Sequence, residues 1–120
     1  MTDSLAEFDA FRTRMNEAIF AGNNLTINRF FALDGRCYEN GALDSRTKEM
    51  LGLVASLVLR CDDCITYHII RCHEEGVSYQ EFFEIFSVGL VVGGSIVIPH
   101  LRRAVARLEE LNAGSAAPPK

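Results

Sequence analysis

The 120 residues predict an all-α fold of five or six helices in a single domain, and three observations carry that prediction. Apolar residues recur at three- and four-residue intervals through most of the chain, the period of one helix face. Capping signals stand ahead of those segments, with Ser4–Glu7 and Ser78–Glu81 in capping-box spacing. No stretch alternates apolar and polar residues for long enough to read as a strand. A chain of this length closes one real core and leaves little for a second. The domain is placed at residues 1–112, and the Ala/Pro-rich segment 113–120 has the composition of a frayed tail.

Leu5, Phe8, Phe11, Met15 and Ile19 follow Ser4 at helical intervals, predicting a first helix of about five turns closed by Gly22-Asn23-Asn24. Leu25 to Leu33 predicts a second helix, with Asp34-Gly35 as its stop. Cys37 then falls in a loop as a half-buried thiol, before an Asn40-Gly41 turn. Asp44 or Ser45 caps a third helix that runs to about Leu59, with Met50, Leu51, Val54, Leu57 and Val58 among its apolar positions. Arg60 to Asp63 interrupts that run and opens a fourth helix, which ends at the typical C′ glycine Gly76. The fifth helix, Tyr79 to about Val92, has Val77 and Phe82 placed as a hydrophobic staple. It is apolar on most of its surface, so it belongs at the centre of the core or against another subunit. Gly93-Gly94-Ser95 breaks it, and Pro99 suits the first turn of a last helix ending near Leu111, with Leu101, Val105 and Leu108 on its apolar side.

Composition narrows the function classes. Hydrophobic residues make up 48% and charged residues 23%, the balance of an ordinary soluble protein. A net charge of −4 argues against nucleic acid, whose binding needs a basic patch. The longest apolar run, Val88 to Pro99, is too short and too glycine-rich to span a bilayer, so no membrane partner is expected. Met1 to Ala10 carries three acids and no apolar core of a secretory signal, which predicts a cytoplasmic protein. Structural disulfides are rare there, so the four cysteines, two of them as CxxC, point to redox or metal chemistry.

The chemistry concentrates in Cys61-Asp62-Asp63-Cys64-Ile65-Thr66-Tyr67-His68. On a helix begun at Cys61, the offsets to Cys64 and His68 rotate by roughly 300° and 700°, placing all three side chains within about 60° on one face. A thiol needs a base or a positive field to become the reactive thiolate, and a second thiol nearby to resolve it as a disulfide. The helix start favours a thiolate at Cys61, while Asp62 and Asp63 oppose one, and the sequence does not decide between them. Cys64 has a clearer activator in His68 at i+4, which makes Cys64 the attacking thiol and Cys61 its resolving partner. Glu49 lies twelve residues before Cys61 among apolar neighbours on the preceding helix. Either it orients the His68 imidazole and strengthens it as a base, or it is an exposed glutamate paired with Lys48 or Arg46. In an antiparallel hairpin Glu49 would stand about 15 Å back from the turn and His68 about 9 Å, a mismatch for long side chains or a skewed crossing to cover.

Glu49, then Cys61-x-x-Cys64-x-x-x-His68, then Gly76, resembles the signature of the alkylhydroperoxidase D-like (AhpD-like) branch of the carboxymuconolactone decarboxylase family. The flanks resemble it too: Tyr38 to Leu43, Lys48-Glu49, the acidic helix start at Glu81, and Gly93-Gly94. The resemblance covers roughly residues 30 to 111. It implies an AhpD-like all-α fold assembled as a homo-oligomer, with trimers and hexamers the usual forms. The implied activity is a thiol-dependent peroxidase or disulfide reductase, acting on a hydroperoxide or a disulfide and re-reduced by a lipoyl- or thioredoxin-type partner. Carried over by position, Cys64 matches the peroxide-attacking thiol, Cys61 the resolving thiol, and His68 with Glu49 the proton relay. No cofactor is called for. One departure stands out: peroxidase members often carry histidine immediately before the second cysteine, and here Asp63 occupies that place.

Three rival readings share the same residues. Cys61, Cys64, His68 and Cys72, with His73 beside them, superficially offer zinc ligands, but Cys61 and Cys72 would lie about 16 Å apart along one helix, so Cys72 is read as a buried small apolar residue. A lactone-acid decarboxylase without redox chemistry would use His100 with Arg102 and Arg103 on a carboxylate, yet such members generally lack the CxxC pair. A non-catalytic oligomerisation module would use Val88 to Ile98 as its subunit contact.

Overall fold

A computed structural model describes residues 4–114, and their regular structure is all helical, with no strand among the described residues. Six α-helices follow in order: α1 (Ser4–Ala21), α2 (Leu25–Cys37), α3 (Ser45–Leu59), α4 (Asp62–Glu74), α5 (Tyr79–Gly93) and α6 (Ile98–Gly114). A 3-10 turn, Ser95–Val97, leads into α6. The helices divide into two compact units, Met1–Glu39 and Asn40–Lys120.

The first unit is a helical hairpin. Gly22, Asn23 and Asn24 form its turn: Asn23 takes the left-handed conformation at φ 56°, and the Asn24 side chain caps α2 by accepting from the Ile27 N–H at 3.0 Å. Phe20 and Phe31 meet edge to face across the hairpin, 5.0 Å between ring centres. The α2 helix does not stop at Asp34-Gly35 but runs on to Cys37. Gly35 has ordinary helical backbone, and one glycine costs a helix only about 1 kcal/mol, too little to end it. Cys37 is therefore the last residue of a helix and exposed, not half-buried in a loop. No residue of α2 is buried; Ile27, Phe30 and Leu33 line one face of it uncovered, Phe30 with 70% of its surface exposed.

The second unit holds the core. Leu53 and Leu57 of α3, Ile65, Ile69 and Cys72 of α4, Phe82 and Phe86 of α5, Val97, and Ala104 and Leu108 of α6 pack into one buried cluster. The spacings that produce it are helical: 53/57, 65/69/72, 82/85/86 and 104/108 each return to the same face. Caps fix where the helices begin. Asp44 caps α3 by accepting from the Thr47 N–H at 2.8 Å. Ser78 and Glu81 form a reciprocal capping box on α5, with Val77 and Phe82 buried beside it. The fifth helix is only half covered, since Val88, Val91 and Val92 face outward while Phe82, Ile85 and Phe86 are buried. Gly94, at φ 83°, ends α5 in a conformation that favours glycine. The last helix starts one residue before Pro99 and continues past Leu111 to Gly114; of the expected tail, residues 115–120 lie outside those described.

Candidate active site

The site is built at the joint between α3 and α4, which is two residues long. Arg60 sits in the left-handed region at φ 60°, ψ 43°, and lets the chain reverse: its N–H reaches Leu57 O, and the Cys61 N–H reaches back to Ser56 O at 3.1 Å. Cys61 is then the N-cap of α4, with extended backbone at φ −103°, ψ 99°, and its Sγ accepts from the Cys64 N–H at 3.3 Å. Cys61 and Cys64 are joined as a disulfide with their Cα atoms 5.3 Å apart, within the ordinary span of such a bond. Cys61 is half-buried and Cys64 is exposed.

One turn on, His68 is buried, and its Nδ1 lies 2.9 Å from Glu49 Oε1 of α3. Glu49 is buried to 1% exposure, so the structure removes the reading of an exposed glutamate. Arg46, its suggested surface partner, instead bridges to Glu81 at 2.6 Å, tying α3 to the start of α5. The carboxylate holds a second donor as well: Arg71 Nε stands 3.4 Å from Glu49 Oε2 and also pairs with Glu74 and Glu75. A buried carboxylate is tolerable only when its oxygens are satisfied, and here a different α4 side chain faces each one. A carboxylate opposite Nδ1 favours the tautomer protonated there, which makes Nε2 the basic nitrogen. The chain thus joins the four residues singled out from the sequence as two pairs, Cys61 with Cys64 and His68 with Glu49.

Arg71 was missed, although its place three residues after His68 on the same helix face carried a signal. The second missed feature had none. Asp62, the first residue of α4, is clamped from α6: His100 Nδ1 donates to its Oδ1 at 2.8 Å and Arg103 Nε to its Oδ2 at 2.9 Å, across 38 and 41 residues. Burial alone would push the Asp62 carboxyl up, but the His100 hydrogen bond and the Arg103 charge outweigh it and hold the group below its ordinary range. The carboxylate that His100 and Arg103 bind is thus an internal one.

The remaining thiols differ sharply. Cys72 is fully buried, and burial, with the Glu49 charge adding to it, pushes its thiol up to about 12, so it stays protonated at neutral pH. Cys37 is free and exposed. Among the described residues, no three His, Cys, Asp or Glu side chains converge as a metal site. No helix described is long and apolar enough to cross a membrane.

Residues 25–107, from the first residue of α2 into α6, match the carboxymuconolactone decarboxylase family. The crystal structure of TM1620 from Thermotoga maritima superimposes with a TM-score of 0.86 at 56% identity, covering 89% of this chain and 94% of that one. A second structure of the same protein, at 57% identity and a TM-score of 0.85, describes it as a member of this family with a suggested part in an antioxidative response. The family protein lpg0406 of Legionella pneumophila shares the fold at a TM-score of 0.82 and 20% identity, over 91% of this chain and 97% of its own. Protein 4 of the cox locus of Paracoccus denitrificans is 29% identical over 83 residues, 69% of this chain and 75% of that protein. With the match spanning most of its length, the chain belongs to the carboxymuconolactone decarboxylase family.

Proposed function

We propose that the protein is a thiol-dependent oxidoreductase that reduces hydroperoxides or disulfides through the Cys61–Cys64 pair. The observation that carries this reading is the placement of an exposed cysteine, Cys64, three residues from a disulfide partner and one helical turn from an imidazole buried against a carboxylate. In the reduced protein His68 takes the Cys64 proton, directly or through one water. The Cys64 thiolate attacks a peroxide oxygen; the O–O bond breaks, Cys64 becomes a sulfenic acid, and the departing alkoxide takes a proton to leave as an alcohol. The Cys61 thiol then attacks the Cys64 sulfur, forming the disulfide and releasing water. With a disulfide substrate, Cys64 attacks one sulfur and the other leaves as a thiol, giving a mixed disulfide; Cys61 then attacks the Cys64 sulfur and frees the second substrate sulfur as a thiol. Glu49 acts through His68 by holding its ring and tautomer, and Arg71 steadies Glu49 from the other side.

A lipoyl- or thioredoxin-type dithiol returns the disulfide to two thiols, which suits a reducing compartment such as the cytoplasm. Asp63, where peroxidase relatives often place an imidazole, offers no second base and repels a thiolate, which counts against fast peroxide reduction and leaves dithiol chemistry open. The working form is a homo-oligomer, a trimer or hexamer. Supporting it are the uncovered apolar faces of α2 and α5 and an open apolar groove lined by Thr47, Met50, Leu51, Val54, Ile85 and Val88.

Intact mass and two variants test the reading. Wild-type protein should lose two hydrogens on oxidation and regain them with a dithiol. Cys64→Ser should abolish turnover, and Cys61→Ser should stop after one reaction with Cys64 held as a sulfenic acid or mixed disulfide. Full turnover by Cys64→Ser would sink the mechanism.

A further inference from the structure

The head of α4 carries opposed charges. Its first N–H groups have no carbonyl partner within the helix, and they present a partial positive charge to the Cys61–Cys64 pair, which favours a thiolate. Asp62 lies in the same turn, next to Cys61 and two residues from Cys64, and its negative charge works against that field. The carboxylate is not left to act alone. His100 and Arg103 reach it from α6, one on each oxygen, and Arg103 brings a permanent positive charge. The clamp is specific in geometry: two side chains three residues apart on one helix face take both oxygens of one carboxylate, as a fork holds a planar anion.

We infer that the Asp62–His100–Arg103 clamp sets the thiol–disulfide equilibrium of Cys61–Cys64, with Arg103 cancelling the charge that Asp62 would otherwise place on the reduced, thiolate-bearing state. The inference rests on the dithiol reading above and extends it to the residues that tune the pair. Reduction adds two electrons and two protons, taken from an external dithiol that becomes a disulfide; one of the new thiols, Cys64, passes its proton to His68. Negative charge accumulates at the cysteines only in that reduced state, so only there does the balance between Asp62 and Arg103 matter. These three act as positioning residues through the field at the sulfurs, without touching substrate.

Opposite signs test it. Asp62→Asn keeps the cation and removes the anion, so reduced Cys64 should react faster with the uncharged reagent iodoacetamide at neutral pH. Arg103→Gln leaves the anion uncompensated, so the same reaction should slow. Each change should be about three- to tenfold at low salt and shrink at high salt, given the partial exposure of Asp62 and Arg103. Equilibration against reduced and oxidised dithiothreitol should move in parallel: Asp62→Asn becomes easier to reduce and Arg103→Gln harder, a tenfold change corresponding to about 30 mV. The double variant should return toward wild type. Loss of packing alone would not give opposite signs, and circular dichroism checks that each variant stays helical. Shifts of the same sign, or none in folded variants, would overturn the clamp's role. Failure of wild-type protein to cycle by two hydrogens would overturn the dithiol reading itself.

Discussion

Replacing Glu49 by glutamine removes one acceptor from a place where two donors converge. The carboxylate offers an oxygen to His68 Nδ1 at 2.9 Å and another to Arg71 Nε at 3.4 Å, and it is buried to 1% exposure. Glutamine has the same shape but a single carbonyl oxygen. If that oxygen faces His68, the amide NH2 is set against Arg71, donor to donor. If the amide turns over, Arg71 keeps its acceptor and the NH2 meets Nδ1, which drives the imidazole proton to Nε2 and leaves that nitrogen unable to accept from Cys64. Either orientation costs one charged contact of a buried group, the His68 hydrogen bond or the Arg71 ion pair, about 2 kcal/mol on the scale of hydrogen bonds to charged groups. For a domain of this size that lowers the melting temperature by about 8 °C. The kinetic effect is separable from it. A displaced orienting group costs about 10- to 100-fold, so reduced Glu49→Gln should alkylate Cys64 more slowly by that factor at a temperature where it remains folded. The assay is timed iodoacetamide labelling of the reduced protein, read by mass at the Cys64 peptide, beside a thermal melt. A folded Glu49→Gln protein that labels Cys64 at the wild-type rate would refute the relay, whatever its melting temperature.

Other outcomes follow from particular side chains. In native protein, a thiol reagent at pH 7 should modify exposed Cys37 quickly and leave Cys72 untouched, because burial holds the latter near 12; unfolding should release it. Acid should destabilise the fold through three carboxyls held low: Asp44 by Thr47, Glu81 chiefly by the Ser78 N–H and then Arg46, and Asp62 by His100 and Arg103 against the opposing effect of burial. Groups lowered in the folded state contribute fully above their ordinary values of 3.8 and 4.5 and lose that contribution as pH falls through the lowered ones, so urea midpoints should be flat near neutrality and drop below about pH 4. Two glycines should respond oppositely to alanine in thermal melts. A Cβ on Gly93 would meet Val97 Cγ2 at 2.5 Å, so Gly93→Ala should cost about 1–3 kcal/mol. A Cβ on Gly35 would meet nothing within 4 Å, so Gly35→Ala should gain up to about 1 kcal/mol.

What could be read from the sequence was local. The caps at Asp44 and Ser78, the apolar faces of α3 to α6, and the pairing of Cys61 with Cys64 all follow from spacings of three and four, which fix neighbours on a helix before any tertiary contact forms. Glu49 was half legible. Its apolar surroundings suggested burial, but the crossing of α3 and α4 that brings its carboxylate to His68 is a tertiary angle that periodicity does not encode. The end of α2 was misplaced because Gly35 reads as a stop by propensity, while its neighbours outvote it. The clamp on Asp62 was invisible for a plainer reason: contacts spanning 38 and 41 residues leave no local trace in either partner.

The bare face of α2 has a consequence for how this protein behaves on dilution. A helix of 13 residues is marginal in water by itself, and this one buries none of its side chains while presenting Ile27, Phe30 and Leu33 outward. Contacts with α1, such as Phe20 against Phe31, supply part of its order, and a partner covering that stripe would supply more. If a second copy does so, helicity becomes a matter of mass action: far-ultraviolet ellipticity and melting temperature both rise with protein concentration until association saturates. A dilution series would then show the N-terminal hairpin fraying while the α3–α6 core holds, and the concentration of half-loss would give the strength of the assembly directly.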